Sequence, residues 1–138
     1  KGMAGTCLME KAVADYLAAR DDYDFAVYEL GSNIPDTMSE EEFCGRVKYL
    51  LSAYAQAHPD KPLFVIDDLI ILGEGHEARR RQVRACLQQL GNPNFVYING
   101  REMLPDAKYL SADFVHPTVE GHIVMSDYLL RAVRGTLG

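Results

Sequence analysis

Asp113-Phe114-Val115-His116-Pro117 sets a carboxylate three residues before an imidazole and just ahead of a helix-like run. An acid bonded to one ring nitrogen fixes the tautomer and leaves the other nitrogen free for proton transfer, so the pair suits a general base and its orienting partner. An Asp three residues before a His also arises readily by chance in a chain this size. The pair therefore gains meaning only from what the rest of the chain sets beside it.

Two glycine-containing turns offer hydrogen-bond donors. Gly31-Ser32-Asn33 follows an apolar run directly. It reads either as a plain turn, with Asn tolerating an unusual backbone angle, or as an amide aimed over a sheet edge at a developing oxyanion. Gly2-Met3-Ala4-Gly5-Thr6 precedes a helical pattern. It is either a flexible loop and cap, or a backbone N–H at Gly5 close to a helix N-terminus that favours an anion. Asp113 and His116 as base and orienter, with Asn33 and Gly5 as donors, make an acyl-transfer site that lacks its nucleophile.

The elements that must position these groups are read from periodicity. Helical spacing covers 8–20, and Tyr23 to Leu30 is an aromatic and aliphatic strand stopped by Gly31. Ser39 and Glu42 form a capping box that opens a long helix, broken at His58-Pro59. Leu63–Ile66 is a second strand, ending at Asp67-Asp68. A loop over 69–75 leads to a basic amphipathic helix at 76–90. Residues 94–99 make a third strand, 100–112 an irregular connection, and 118–134 the last helix. Alternating helices and strands require parallel pairing, since each crossover returns the chain to the same end of the sheet. The fold class is a three-layer α/β/α sandwich with a parallel sheet, and residues 1–138 read as one domain. Ligands of such sheets sit beyond the carboxyl ends of the strands. The loops 31–38, 67–75 and 99–117 lie there, which gives Asn33, Asp67, Asp68, Asp113 and His116 one rim. His58 falls at the opposite rim and reads as a surface turn residue.

Composition narrows the function classes. With 14 basic and 20 acidic residues the net charge is −6, which disfavours nucleic acid and anionic membranes as partners. No apolar run approaches a membrane span, and no signal peptide stands in the given chain. Cys7, Cys44 and Cys86 are odd in number and lack ligand spacing, so they read as free, partly buried thiols.

Taken together, these residues resemble the SGNH or GDSL-type hydrolases, esterases on a flavodoxin-like sandwich. Gly5 in Gly2-Met3-Ala4-Gly5 is similar to their second motif block, Gly31-Ser32-Asn33 to the third, and Asp113-Phe114-Val115-His116 to the last. Gly121 and the helix after it fit the usual tail, and Glu10 resembles the acidic residue that one acylhydrolase subgroup carries after its second block. The resemblance implies a Ser-His-Asp ester hydrolase for small acyl esters, such as O-acetyl groups on carbohydrate. It implies His116 and Asp113 as catalytic residues, Gly5 and Asn33 as oxyanion donors, and no metal or organic cofactor.

The first block, Gly-Asp-Ser at the end of a first strand, is missing from this chain. The resemblance then expects the Ser upstream of Lys1, in a segment that would also cover the open edge of strand 23–30. Ser32, Thr6 and Cys7 are the nearest nucleophiles within the chain, but the matching motifs place Ser32 and Thr6 in oxyanion loops. The competing reading is a non-catalytic ligand-binding module on the same sandwich. Asp67-Asp68 reads as a solvated strand end with a capping acid, and Arg79-Arg80-Arg81 as a solvated helix face. Glu74-Gly75-His76-Glu77 resembles a metal cluster only loosely.

Overall fold

The computed structural model describes residues 6–70 and 73–138. Its elements run α1 (Lys11–Ala18), β1 (Ala26–Glu29), α2 (Glu40–Ala57), β2 (Leu63–Ile66), α3 (Glu74–Leu90), β3 (Phe95–Ile98), α4 (Gly100–Met103), a 3-10 turn (Ala107–Tyr109) and α5 (Val119–Leu137). The three strands are parallel in the order β1-β2-β3, with Ala26 opposite Leu63 and Leu63 opposite Phe95. This is the α/β sandwich expected from the alternation. The connection expected to be irregular over 100–112 contains α4 and the 3-10 turn.

Strand geometry explains the layers. Successive side chains of a strand point to opposite faces. Leu63 and Val65 accordingly pack with Ala14 of α1, with Phe43, Val47, Leu50, Leu51 and Tyr54 of α2, and with Val83, Cys86 and Leu87 of α3. Phe64 and Ile66 instead meet Ile98, Met103 of α4, and Met125, Tyr128, Leu129 and Val133 of α5. Every residue of β2 is buried, because helices cover both faces and strands flank both edges. The strand expected over 23–30 is shorter and less buried. Val27 is 36% exposed, since β1 lies at a sheet edge.

Helix starts follow their capping chemistry. Ser39 Oγ accepts from Glu42 N at 3.1 Å, the first half of the capping box. The Glu42 carboxylate turns to Arg46 at 2.7 Å instead of reaching back to the cap. Thr118 Oγ1 accepts from Gly121 N at 3.1 Å and opens α5. Gly91, in the left-handed region at φ 58°, closes α3.

Several polar residues sit deeper than their sequence context suggests. His58 is 7% exposed, packed on the rings of Tyr23 and Tyr54 at 5.3 and 5.1 Å between centroids. It is a core histidine at the amino end of β2, not a surface residue of the turn. Cys7 and Cys44 are half-buried and Cys86 is buried, all as free thiols. Burial pushes the Cys86 thiol up to about 11. Among the described residues, no helix is long and apolar enough to cross a membrane.

Leu51 is fully buried between α2 and the sheet. Leu51→Ala is expected to cost about 2–5 kcal/mol of unfolding free energy, by lost transfer energy and the cavity left behind. Urea unfolding should show the midpoint falling with little change in slope.

Candidate active site at the carboxyl rim of the sheet

The segment Leu110–Pro117 folds into a closed loop by purely local bonds. An antiparallel bridge joins Leu110 to Pro117, and Ser111 N donates to His116 O at 2.7 Å. Phe114 takes a left-handed φ of 58° and donates its N–H to Ser111 O at 3.0 Å. At the exit, Thr118 N donates to Tyr109 O at 2.7 Å. A Cβ on Gly121 would stand 2.4 Å from that same carbonyl, so only glycine lets α5 start this close to the 3-10 turn.

The loop's centre is the Asp113 carboxylate. Its Oδ2 lies 2.7 Å from His116 Nδ1, while Oδ1 accepts from Val115 N and His116 N, both at 2.9 Å, and from Ser111 Oγ at 2.7 Å. The His116 ring, then its backbone N–H and that of Val115, then the Ser111 hydroxyl, hold the Asp113 carboxyl well below the usual carboxylate range. The His116 side chain is 78% exposed, and its Nε2 meets no hydrogen-bond partner among the described residues. An imidazole anchored at Nδ1 and open at Nε2 is arranged to take a proton from a group brought up to it.

Asn33 follows β1. The strained backbone angle of its turn falls on Gly31 at φ 129°, and Asn33 itself is not among the positive-φ residues. Its side chain is exposed and makes no hydrogen bond with another described residue. The turn leaves the carboxyl end of β1, as the 99–117 segment leaves that of β3, so both belong to the same rim of the sheet. No hydrogen bond joins Asn33 to the Asp113–His116 loop. Gly5 lies outside the described residues.

Two features at this rim differ from the sequence reading. Asp67 and Asp68 have no exposed surface at all, and are not a solvated strand end. Asp67 accepts from Gly100 N and Tyr97 Oη, each at 2.6 Å. Burial pushes its carboxyl above the ordinary value, and burial together with this carboxylate pushes Tyr97 up to about 12. Asp68 Oδ2 lies 2.6 Å from His76 Nδ1, giving a second Asp–His pair that the sequence reading missed. Its spacing of eight residues carries no motif. Arg80, taken as one of three solvated arginines, is 3% exposed and donates to the carbonyls of Asp68 and Ile70 at 2.8 and 2.9 Å. Among the described residues, no group of three or more His, Cys, Asp or Glu side chains is placed to hold a metal ion.

Solved structures share this architecture. A protein from Bacteroides ovatus described as a GDSL-like lipase is 26% identical, with a TM-score of 0.72 over 96% of this chain and 41% of its own. A salicylyl-acyltransferase from a tetracycline biosynthetic pathway is 17% identical, with a TM-score of 0.75 over 93% of this chain and 42% of its own. A family two carbohydrate esterase from Clostridium thermocellum is 21% identical, with a TM-score of 0.70 over 83% of this chain and 36% of its own. No protein-family model and no curated protein matches the sequence. The chain has the SGNH/GDSL-type hydrolase fold, in a span well under half the length of these three structures.

The four donors around Asp113 make a titration prediction. Its carboxyl should protonate, by carbon-detected NMR, at a pH below the ordinary midpoint of about 3.9. Its folded value being the lower one, its contribution to the loop is present above the unfolded value and is lost as pH falls through the folded one. Replacing His116 by Ala should move the midpoint upward. An ordinary midpoint in the unaltered protein would contradict the bonding described.

Proposed function

We propose that this chain is part of a carboxylic ester hydrolase working by Ser-His-Asp acyl transfer, with the Ser supplied from upstream of residue 1. The observation that carries the reading is the His116 imidazole, anchored at Nδ1 by Asp113 at 2.7 Å and open at Nε2 on the ligand-binding rim of a parallel sheet. The esterase and the acyltransferase among the structural neighbours support the same chemistry.

In this mechanism the Ser oxygen attacks the ester carbonyl carbon while His116 Nε2 takes the hydroxyl proton. Asp113 holds the ring and stabilises the imidazolium. The carbonyl oxygen becomes an oxyanion held by the Asn33 amide, the Gly5 N–H and the Ser N–H. Collapse expels the alcohol, which takes the proton back from His116. Water activated by the same base then releases the acid from the acyl-enzyme. These steps involve no metal or organic cofactor. The substrate is a small acyl ester, such as an O-acetyl group on carbohydrate, and the carbohydrate esterase among the neighbours supports an ester on carbohydrate.

The upstream segment also gives β1 a neighbour. By strand alternation Val27 and Glu29 direct their N–H and C=O groups away from β2, where the described residues add no strand. Val119, Ile123, Leu130 and Leu137, exposed at spacings of four and seven on α5, offer a second apolar surface for that segment.

The test is ester hydrolysis by the full-length protein. His116→Ala should lower kcat by roughly 10³-fold or more, and Asn33→Ala by roughly 10²–10³-fold. Fluorophosphonate labelling should map to a Ser upstream of Lys1. Full activity in His116→Ala would refute the assignment. A folded full-length protein that neither labels nor hydrolyses esters would instead be a non-catalytic binding module.

A further inference from the structure

Asp68 joins three parts of the rim that are remote in sequence. Its Oδ1 accepts from Ile70 N at 2.9 Å and Ser32 Oγ at 3.2 Å, and its Oδ2 is bound by His76 Nδ1 at 2.6 Å. The single Ser32 hydroxyl proton is shared between Asp68 Oδ1 and the nearer Glu29 Oε1 at 2.6 Å, and Ser32 Oγ accepts from Leu69 N at 3.3 Å. Gly31 is pressed against the same carboxylate, since a Cβ there would lie 3.0 Å from Asp68 Cβ. The turn carrying Asn33 is thus clamped between the ends of β1 and β2, and the clamp's far anchor is a histidine on α3. By contrast, Asn33 itself is held by no hydrogen bond to a described residue. Its aim must come from the backbone of the turn.

We propose that His76 is a positioning residue: through Asp68 and Ser32 it holds the Gly31–Asn33 turn so that the Asn33 amide points at the oxyanion. The proposal rests on the acyl-transfer reading. It assigns His76 no contact with substrate. The imidazole fixes which way the buried Asp68 carboxylate faces, and that orientation presents Oδ1 to Ser32. A donor displaced by a fraction of an ångström from the oxyanion loses transition-state stabilisation with little effect on ground-state binding.

The experiment is a mutant cycle on the full-length protein, read as kcat and KM for an aryl acetate. His76→Leu removes the ring donor, and His76→Asn keeps an N–H near the position of Nδ1. Ser32→Ala cuts the link and leaves Asp68 its bonds to Ile70 N and His76. Ser32→Ala and His76→Leu should each lower kcat roughly 10- to 100-fold, with KM changed less than about threefold, and His76→Asn should recover most of the loss. In an Asn33→Ala background the same changes should have little further effect, because they act through that amide. An unchanged kcat in folded His76→Leu or Ser32→Ala would overturn the proposal, as would full additivity with Asn33→Ala. If His76→Leu fails to fold, Ser32→Ala and His76→Asn carry the cycle alone. If the unaltered protein hydrolyses no ester, the acyl-transfer reading fails separately. Amide hydrogen exchange at residues 31–34 then decides the clamp: faster exchange in Ser32→Ala supports it, and unchanged exchange overturns it.

Discussion

Two carboxylates at the end of β2 have no contact with water, and the rim of the sheet is built to answer them. A buried carboxylate is tolerated only when donors replace the water it has lost. Asp67 and Asp68 recruit theirs from every neighbouring element: Gly100 N from α4, Tyr97 Oη from β3, Ser32 from the turn after β1, and His76 from α3. Gly100 is required by the same crowding, since a Cβ would come within 2.7 Å of Asp68 O and 2.8 Å of Asp67 O. Removing one partner would leave a buried charge uncompensated, a loss of roughly 3–5 kcal/mol in comparable cases. The geometry of the loops is therefore tied to the most buried strand of the sheet, although the loops themselves lie at its edge.

This explains which parts of the molecule could be read from its sequence. The Asp113–His116 pair was legible because it is local. Its partners lie within three residues of the carboxylate, and an Asp that caps its own turn needs nothing from the rest of the chain. The strand Leu63–Ile66 and the helix opened by Ser39 were legible for the same reason, through periodicity and capping. The Asp68–His76 pair was not. Neither residue type nor spacing says that a strand-end acid is dry, since that follows from α3 and the β1 turn closing over it. Arg80 differs from Arg79 and Arg81 only in its angle around the helix, which turns it inward to the Asp68 and Ile70 carbonyls. His58 is buried because the ring of Tyr54, one helical turn before it, and that of Tyr23, from the segment ahead of β1, pack against it.

The edge of the sheet was legible only in part. An apolar strand with no partner ahead of it in the sequence implies an edge position, and β1 is an edge strand among the described residues. What the run of apolar letters over 23–30 could not convey is that only Ala26–Glu29 pairs as strand. The pairing partner sets the length: β2 itself spans only Leu63–Ile66, so β1 pairs over Ala26–Glu29, with one further bond from Leu30 N to Ile66 O at 2.9 Å.

The two Asp–His pairs share one contact geometry and differ in everything around it. At Asp68 the carboxylate has no exposed surface and the His76 side chain is 21% exposed, so the pair is committed to holding structure. At Asp113 the His116 side chain is 78% exposed, and the acid is saturated by donors from its own loop. A base must be rigid on one side and reachable on the other. Only the exposed pair meets both conditions, because its rigidity comes from six consecutive residues and not from enclosure. The loop can therefore present Nε2 at the rim whether or not anything covers it. In the proposed mechanism the distance left to be closed is that between His116 and a hydroxyl from another segment, and among the described residues the edge of β1 away from β2 is unpaired.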